Sequence, residues 1–372
     1  MRGIILVAFE ASLYPDVADT APNAAPSPAA SASRYRFAAA WTFPLAVMGA
    51  ALLVSPWAAW ATAFGYQVLL ALAERVPGWA RSPAAAPMGA WHRFCLRVHV
   101  PIQAVVLGLA LWLVATGGFT PGAVVALGIG VGAITGSLGI TYAHELGHSR
   151  SRFDRVLGWL LMASVNYAHF MVEHYRGHHP RAATFDDPAS ARRGESLWRF
   201  LPRTLVGSLA SAWRLEARRL AQLGRGWHAS PLAWATLAQA AVLVLLGATL
   251  GAPAVLFWLV QSAYAVFLLE AINYIEHYGL ERSQVAGRRE PFGVMHAWNA
   301  DHVVTNSLLV NLQRHSDHHM HAWKPFAELE PLPGPQLPTG YAGCLFLASV
   351  PPLWFRLMHR RLAAMAPAAA TA

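Results

Sequence analysis

The sequence predicts an all-α integral membrane fold: six transmembrane helices in three hairpins, with a cytoplasmic helical cap. Three observations lead there. The 372 residues are 55% hydrophobic and only 13% charged, where a soluble domain carries about 25% charge. Three runs, 37–73, 101–143 and 229–269, contain no Asp, Glu, Lys or Arg, and each is about twice the roughly 20 residues that cross a bilayer as helix. Each run is also broken near its middle, at Ser55-Pro56, at Gly117-Gly118-Phe119-Thr120-Pro121, and between Gly247 and Pro253. In lipid the backbone must satisfy its own polar groups, so helical hairpins are the economical reading.

Taken in order, residues 1–33 begin with a short apolar stretch and continue as an Ala/Pro/Ser tract, which reads as a disordered arm. A signal peptide fits poorly, since Arg2 gives a thin basic start and Glu10 interrupts the apolar segment. Residues 34–372 then form a single membrane-embedded domain. Residues 74–100 read as a cytoplasmic loop. The 144–228 segment is too long for a plain connector; it holds an amphipathic piece over 156–172 and a basic helix over 198–223. From Glu270 onward the chain is again cytoplasmic. Consecutive prolines, Pro351-Pro352, in the apolar 341–357 stretch favour an interfacial or re-entrant segment over a seventh span.

Charge orients this topology. None of the three breaker turns holds Arg or Lys, so every basic residue falls on the opposite side together with both termini. The positive-inside rule makes that side cytoplasmic. The net charge of +9 is spread among apolar runs and forms no single basic stripe, which argues against nucleic acid as a partner. Two cysteines, Cys95 and Cys344, supply neither a disulfide framework nor a thiolate metal site. Any metal must be held by imidazole and carboxylate.

Imidazole is abundant in four clusters on the cytoplasmic side. The densest is Leu312-Gln313-Arg314-His315-Ser316-Asp317-His318-His319, where a helical turn would put the three histidines on one face. His144-Glu145-Leu146-Gly147-His148 follows the fourth span, and its histidines stack one turn apart if the helix continues. Glu173-His174-Tyr175-Arg176-Gly177-His178-His179 repeats that spacing at His174 and His178. The fourth cluster, from Asn273 to Leu280, contains Glu276 and His277 at the end of the sixth span. Nine histidines are thereby gathered: His144, His148, His174, His178, His179, His277, His315, His318 and His319. They exceed what one tetrahedral zinc needs and suit two five- or six-coordinate ions. Ligand type leaves iron, copper and zinc open.

In these clusters the chain resembles the membrane-bound alkane hydroxylases, within the integral-membrane, histidine-rich di-iron desaturases and hydroxylases. His144–His148, 173–179 and 312–319 are similar to the three histidine boxes of that group. The 273–280 motif is the one that sets alkane hydroxylases apart from acyl desaturases. The likeness extends to Asp187-Pro188-Ala189-Ser190, Gly194-Glu195-Ser196 and Leu337-Pro338-Thr339-Gly340-Tyr341, and covers roughly 40–360. Ser149, where Lys is usual, and Met320, where Ala is usual, depart from the pattern. The resemblance implies two non-haem irons and terminal hydroxylation of alkanes to primary alcohols with O₂. It also implies two electrons from rubredoxin, itself served by a rubredoxin reductase. Arg150, Arg152 and Arg155 then have two readings, a docking surface for an acidic donor or plain topology control.

Glu145, Glu173, Glu276 and Asp317 lie inside the clusters, where they either orient ligand imidazoles by hydrogen bonding or bind metal themselves. Glu270, an acid at the inner end of an apolar helix, is expected near the same site. His169, His296 and His302 either line the site or are ordinary core histidines. His321 extends the last box, and His92, His99, His228 and His359 read as interface residues. Trp41, Trp57, Trp60, Trp112 and Trp258 either bound a substrate channel or anchor and pack at the bilayer interface. Three other readings compete. The His144-Glu145-x-x-His148 pattern suits a membrane zinc protease. The same superfamily also offers hydroxylation or desaturation of acyl lipids, alkylaromatics or terpenes. A metal transporter would need polar groups in the spans, which are nearly uncharged.

Overall fold

The computed structural model describes residues 34–79, 81–285 and 288–365; the arm read over 1–33 lies outside them. A 3₁₀ stretch, Arg34–Trp41, leads into α1 (Thr42–Leu53), followed by α2 (Pro56–Ala73), α3 (Ala90–Thr116) and α4 (Pro121–His148). Then come α5 (Arg152–Ser164), α6 (170–181) and α7 (Leu197–Gln222). The second long hairpin is α8 (Pro231–Leu250) and α9 (Ala252–His277). A two-stranded ribbon, β1 (Gln284–Val285) with β2 (Arg288–Arg289), precedes α10 (Val303–Leu308), α11 (His315–Met320), α12 (Tyr341–Ala348) and α13 (Pro351–Met365).

All three breakers break a helix, each through identifiable chemistry. Ser55 Oγ accepts from the Ala58 N–H, with Pro56 in the first turn. Thr120 Oγ1 caps α4 in the same way ahead of Pro121, after Gly118 has turned the chain at φ +56°. Gly251, at φ +80°, joins α8 to α9.

Among the described residues, five helices are long and apolar enough to cross a membrane: Arg34–Leu53, Ala90–Thr116, Pro121–His148, Pro231–Leu250 and Ala252–His277. Counting α12 with α13 as one broken span raises the number to six; that pair bends by 120° at the Ser349-Val350-Pro351 break. Where a second span was expected the chain forms α2, an 18-residue helix that is not among those five. Trp57, Trp60, Tyr66 and Gln67 make it less apolar than the other five. The expected loop over 74–100 is shorter than read, because α3 begins at Ala90 and takes in Arg93, Arg97 and Pro101.

α4 is the most buried of the five, packed between α2 and α9. The approach to α9 depends on missing side chains. A Cβ on Gly132 would come within 2.7 Å of the Gln261 carbonyl, and one on Gly136 within 2.8 Å of Ala265 Cα. α4 is interrupted by a π-turn, Thr135–Ile140, before its last two turns. A second π-turn, His174–His178, lies within α6. α4 and α9 both end in histidines, His148 and His277; α5, α6, α7 and α11 gather around those ends, and α10 packs against α2 and the 34–41 stretch. His92 and His99, read as interface residues, are instead buried: His92 Nδ1 accepts from the Gly89 N–H at the start of α3, and His99 meets Gln103.

Candidate metal centre

The nine histidines form two groups. His144, His148, His174, His179 and His318 make one; His178, His277, His315 and His319 make the other. Within each group the nitrogens able to bind a metal lie within 4.8 Å of one another, and neither group includes a carboxylate. The groups abut, with the rings of His179 and His319 4.4 Å apart.

Local backbone geometry makes this partition. His144 and His148 lie one turn apart on α4 and enter the same group, as the spacing predicts. His174 and His178 do not, because the chain between them is a π-turn. At about 4.4 residues per turn, positions five apart rather than four share a face. His174 is therefore matched with His179, their Nε2 atoms 3.0 Å apart, while His178 turns to the second group. α11 divides its histidines as well: His315 and His319, four apart, serve one group, and His318 between them serves the other. One short helix thereby spans both groups.

Several Nε2 pairs face each other: His144 with His318 at 3.0 Å, His148 with His174 at 3.4 Å, and His277 with His315 at 3.2 Å. Two nitrogens bonded to one cation at about 2.0–2.1 Å lie about 3 Å apart, so this spacing fits a shared ion. Buried, His178 Nε2 and both ring nitrogens of His319 have no hydrogen-bond partner, an arrangement costing about 1–3 kcal/mol per group unless something else satisfies it. Burial holds His174, His179, His315 and His319 well below the usual imidazole range and His318 at about 3. The rings are neutral with free lone pairs, the form a metal requires. The donor set fits a metal centre.

The acids divide differently from expectation. Asp187, which the sequence reading left without a role, contacts one of the nine rings directly: His178 Nδ1 donates to its Oδ2 at 2.8 Å, leaving Nε2 with a free lone pair. Burial pushes the Asp187 carboxyl up, but His178 and Ser190 outweigh it and hold it below the usual range. Glu276 Oε1 accepts from Tyr341 and lies 3.2 Å from His315 Nδ1, without the alignment of a full hydrogen bond. Glu145 lies 3.5 Å from His144 Nδ1 and accepts from the Phe326 N–H.

Glu173 and Asp317 hold none of the nine rings. Glu173 is paired with Arg181, and burial pushes its carboxyl up to about 7. Asp317 takes Lys324, His321 and the Glu330 N–H. Burial raises the Asp317 carboxyl, and those three donors more than offset it. Glu270 accepts from Tyr167, Thr204 and Asn273 and borders a small cavity shared with His169, His174 and His178. His296 meets Glu290 in the loop after the ribbon.

A second feature that the sequence does not announce precedes α11. Val310 and Asn311 both have positive φ, +43° and +58°, a conformation costing a β-branched residue about 1–3 kcal/mol. Asn311 secures the turn, accepting from Arg36 and donating to the Phe326 carbonyl.

An apolar cavity of about 910 Å³, its open mouth included, runs to the histidines. Phe43, Leu70, Leu268, Ile272, Leu309 and Leu345 are among its walls, and His144, His174 and His315, from both groups, lie along it. None of the five tryptophans considered above lines it; Trp57, Trp60 and Trp112 are exposed on the helix surfaces.

A family model described as fatty acid desaturase matches residues 119–334, which include all nine histidines. The chain is 44% identical over 241 residues to alkane 1-monooxygenase 1 of Pseudomonas aeruginosa, covering 63% of each chain. It is 40% identical over 271 residues to the alkane 1-monooxygenase of Acinetobacter baylyi, covering 72% of this chain and 66% of that one. The matched region thus takes in slightly less than two thirds of either relative. The xylene/toluene monooxygenase hydroxylase component XylM of Pseudomonas putida is 30% identical over 221 residues, 59% of this chain and 58% of that one.

Proposed function

Because the chain belongs to the fatty acid desaturase family, as a multi-pass membrane protein similar to alkane 1-monooxygenases, we propose that it hydroxylates the terminal carbon of alkanes. One atom of O₂ enters the terminal C–H bond. The other leaves as water with two electrons and two protons. We assign two irons to the two histidine groups and rubredoxin as the electron donor. The proposed topology has six spans, with both termini and the histidines on the cytoplasmic side of the inner membrane. The observation that carries this reading is the apolar cavity whose walls include histidines of both groups.

When bound, the metals would supply oxidising power that no side chain has. The protein supplies placement. Leucines, Phe43 and Ile272 along the cavity bind an alkyl chain and exclude water, and the open mouth suits a substrate dissolved in lipid. His144, His174 and His315 fix where the chain's end comes to rest. Asp187 holds His178 in the tautomer that presents Nε2, and Tyr341 donates to Glu276 beside His315. All nine imidazoles would serve as ligands, with Asp187 orienting His178 and with Glu276 and Glu145 beside His315 and His144.

A protease reading of the His144-Glu145-x-x-His148 pattern leaves three members of the same five-histidine group without a use. The likeness to XylM favours a second reading, hydroxylation of the methyl groups of alkylaromatics. Cells expressing the chain with a rubredoxin and its reductase, supplied with octane, hexadecane, toluene and a fatty acyl ester, separate these readings. Primary alcohols from the alkanes support the proposal. Benzyl alcohol alone, or a desaturated acyl product alone, overturns it.

A further inference from the structure

A polar network crosses the membrane-embedded part of the molecule without touching any of the nine histidines. His99 Nε2 meets Gln103 Oε1 at 3.3 Å, and Gln103 Nε2 donates to Ser164 Oγ at 2.7 Å. Gln261 Nε2 donates to the Ser164 carbonyl at 2.9 Å, while Gln261 Oε1 accepts from Thr135 Oγ1 at 2.9 Å. His99, Gln103, Thr135 and Gln261 are all buried. Polar side chains in this position are costly unless bonded, so the network needs a reason to be there.

Its members converge on the π-turn of α4. Thr135 opens that turn, and Gln103 fills the space beside Gly139, where a Cβ would lie 2.0 Å from Gln103 Oε1. Two residues beyond the turn, Tyr142 packs its ring against His99 at 4.7 Å. A π-turn takes one residue more than an α-turn. Everything after it is therefore set back by about 100° relative to an uninterrupted α-helix. His144 begins one turn after Ile140, so the π-turn decides whether His144 and His148 face the other ligands.

We propose that Gln103, seated against Gly139, and Gln261, bonded to Thr135, are positioning residues that hold this π-turn and so aim His144 and His148 into the five-histidine group. The inference rests on reading that group as a metal site. Only the five-histidine group takes ligands from α4; the four-histidine group takes none.

The test uses full-length protein loaded with ⁵⁷Fe in detergent, read by Mössbauer spectroscopy and by the rate of iron loss to a chelator. Wild type is expected to show two components, one per group. Gly139→Ala drives a methyl group into Gln103; it is expected to alter one component and speed its iron loss about tenfold, leaving the other unchanged. Gln261→Ala, which removes the acceptor of Thr135, is expected to alter the same component. An unchanged spectrum, or equal change in both components, overturns the positioning role. Should Gly139→Ala not fold, Gln103→Leu removes the bonds without a clash, and the same two results decide. Wild type without bound iron would instead overturn the metal-site reading.

Discussion

His178 Nδ1 lies 2.8 Å from the carboxylate of Asp187, nine residues further along the chain. Ser190 and the Ala189 N–H also donate to that carboxylate, so it is fixed before it meets the ring. Removing such an anchor typically lowers metal affinity about 10- to 100-fold. Asp187→Ala is expected to weaken iron binding by that factor, measured by chelator competition, with the fold retained by circular dichroism. Affinity equal to wild type would remove Asp187 from the site.

Asp317 lies inside the densest histidine cluster but bonds outward, to Lys324, His321 and the Glu330 N–H. Asp317→Asn is expected to lower stability by about 1–3 kcal/mol through those lost partners and to leave iron content unchanged. Glu276→Gln, which keeps an acceptor for Tyr341 beside His315, is expected to do the reverse and reduce iron occupancy. Thermal unfolding and iron analysis of both variants check the pair.

How much of this was legible in the sequence follows the same line. The three charge-free runs and their breakers became helix ends at Ser55, Thr120 and Gly251. The four clusters named the histidines that the fold brings together. Their division into five and four was not legible. A helical spacing rule assumes 3.6 residues per turn, and nothing in Glu173-His174-Tyr175-Arg176-Gly177-His178-His179 announces a π-turn. Asp187 was visible only as part of a motif, because the bends over 182–190 that carry it back to His178 depend on tertiary packing. The burial of His99 was missed because its polar partner, Gln103, is itself held by Ser164 of α5, a tertiary contact that the sequence does not announce.

Acid should destabilise the metal-free protein. Burial, then the neighbouring imidazoles, holds His174, His179, His315 and His319 well below 6.5 and His318 at about 3. The unfolded chain takes up protons below pH 6.5 that the folded chain refuses. This stability is present above 6.5 and is lost as the pH falls towards the folded values, by up to about 1.4 kcal/mol per pH unit for each histidine. Chelated protein is expected to show a Tm that falls steadily from pH 7 to pH 5. A flat profile would contradict the burial of neutral rings.

The cavity sets substrate length if it holds the alkyl chain. Leu309→Phe fills part of it and is expected to shift the octanol-to-hexadecanol product ratio toward octanol by about tenfold, the scale on which an apolar pocket discriminates by a methylene or two. Gas chromatography of cells given both alkanes measures this. An unchanged ratio would place the alkyl chain elsewhere.

The most direct measurement is the metal content of protein purified from iron-replete membranes, by mass spectrometry against amino-acid analysis. Two separate histidine groups predict about two irons per chain, falling toward one when His178 and His319 of the four-histidine group are both replaced by alanine. One zinc per chain, or a single iron lost completely on that double substitution, would contradict a two-ion centre.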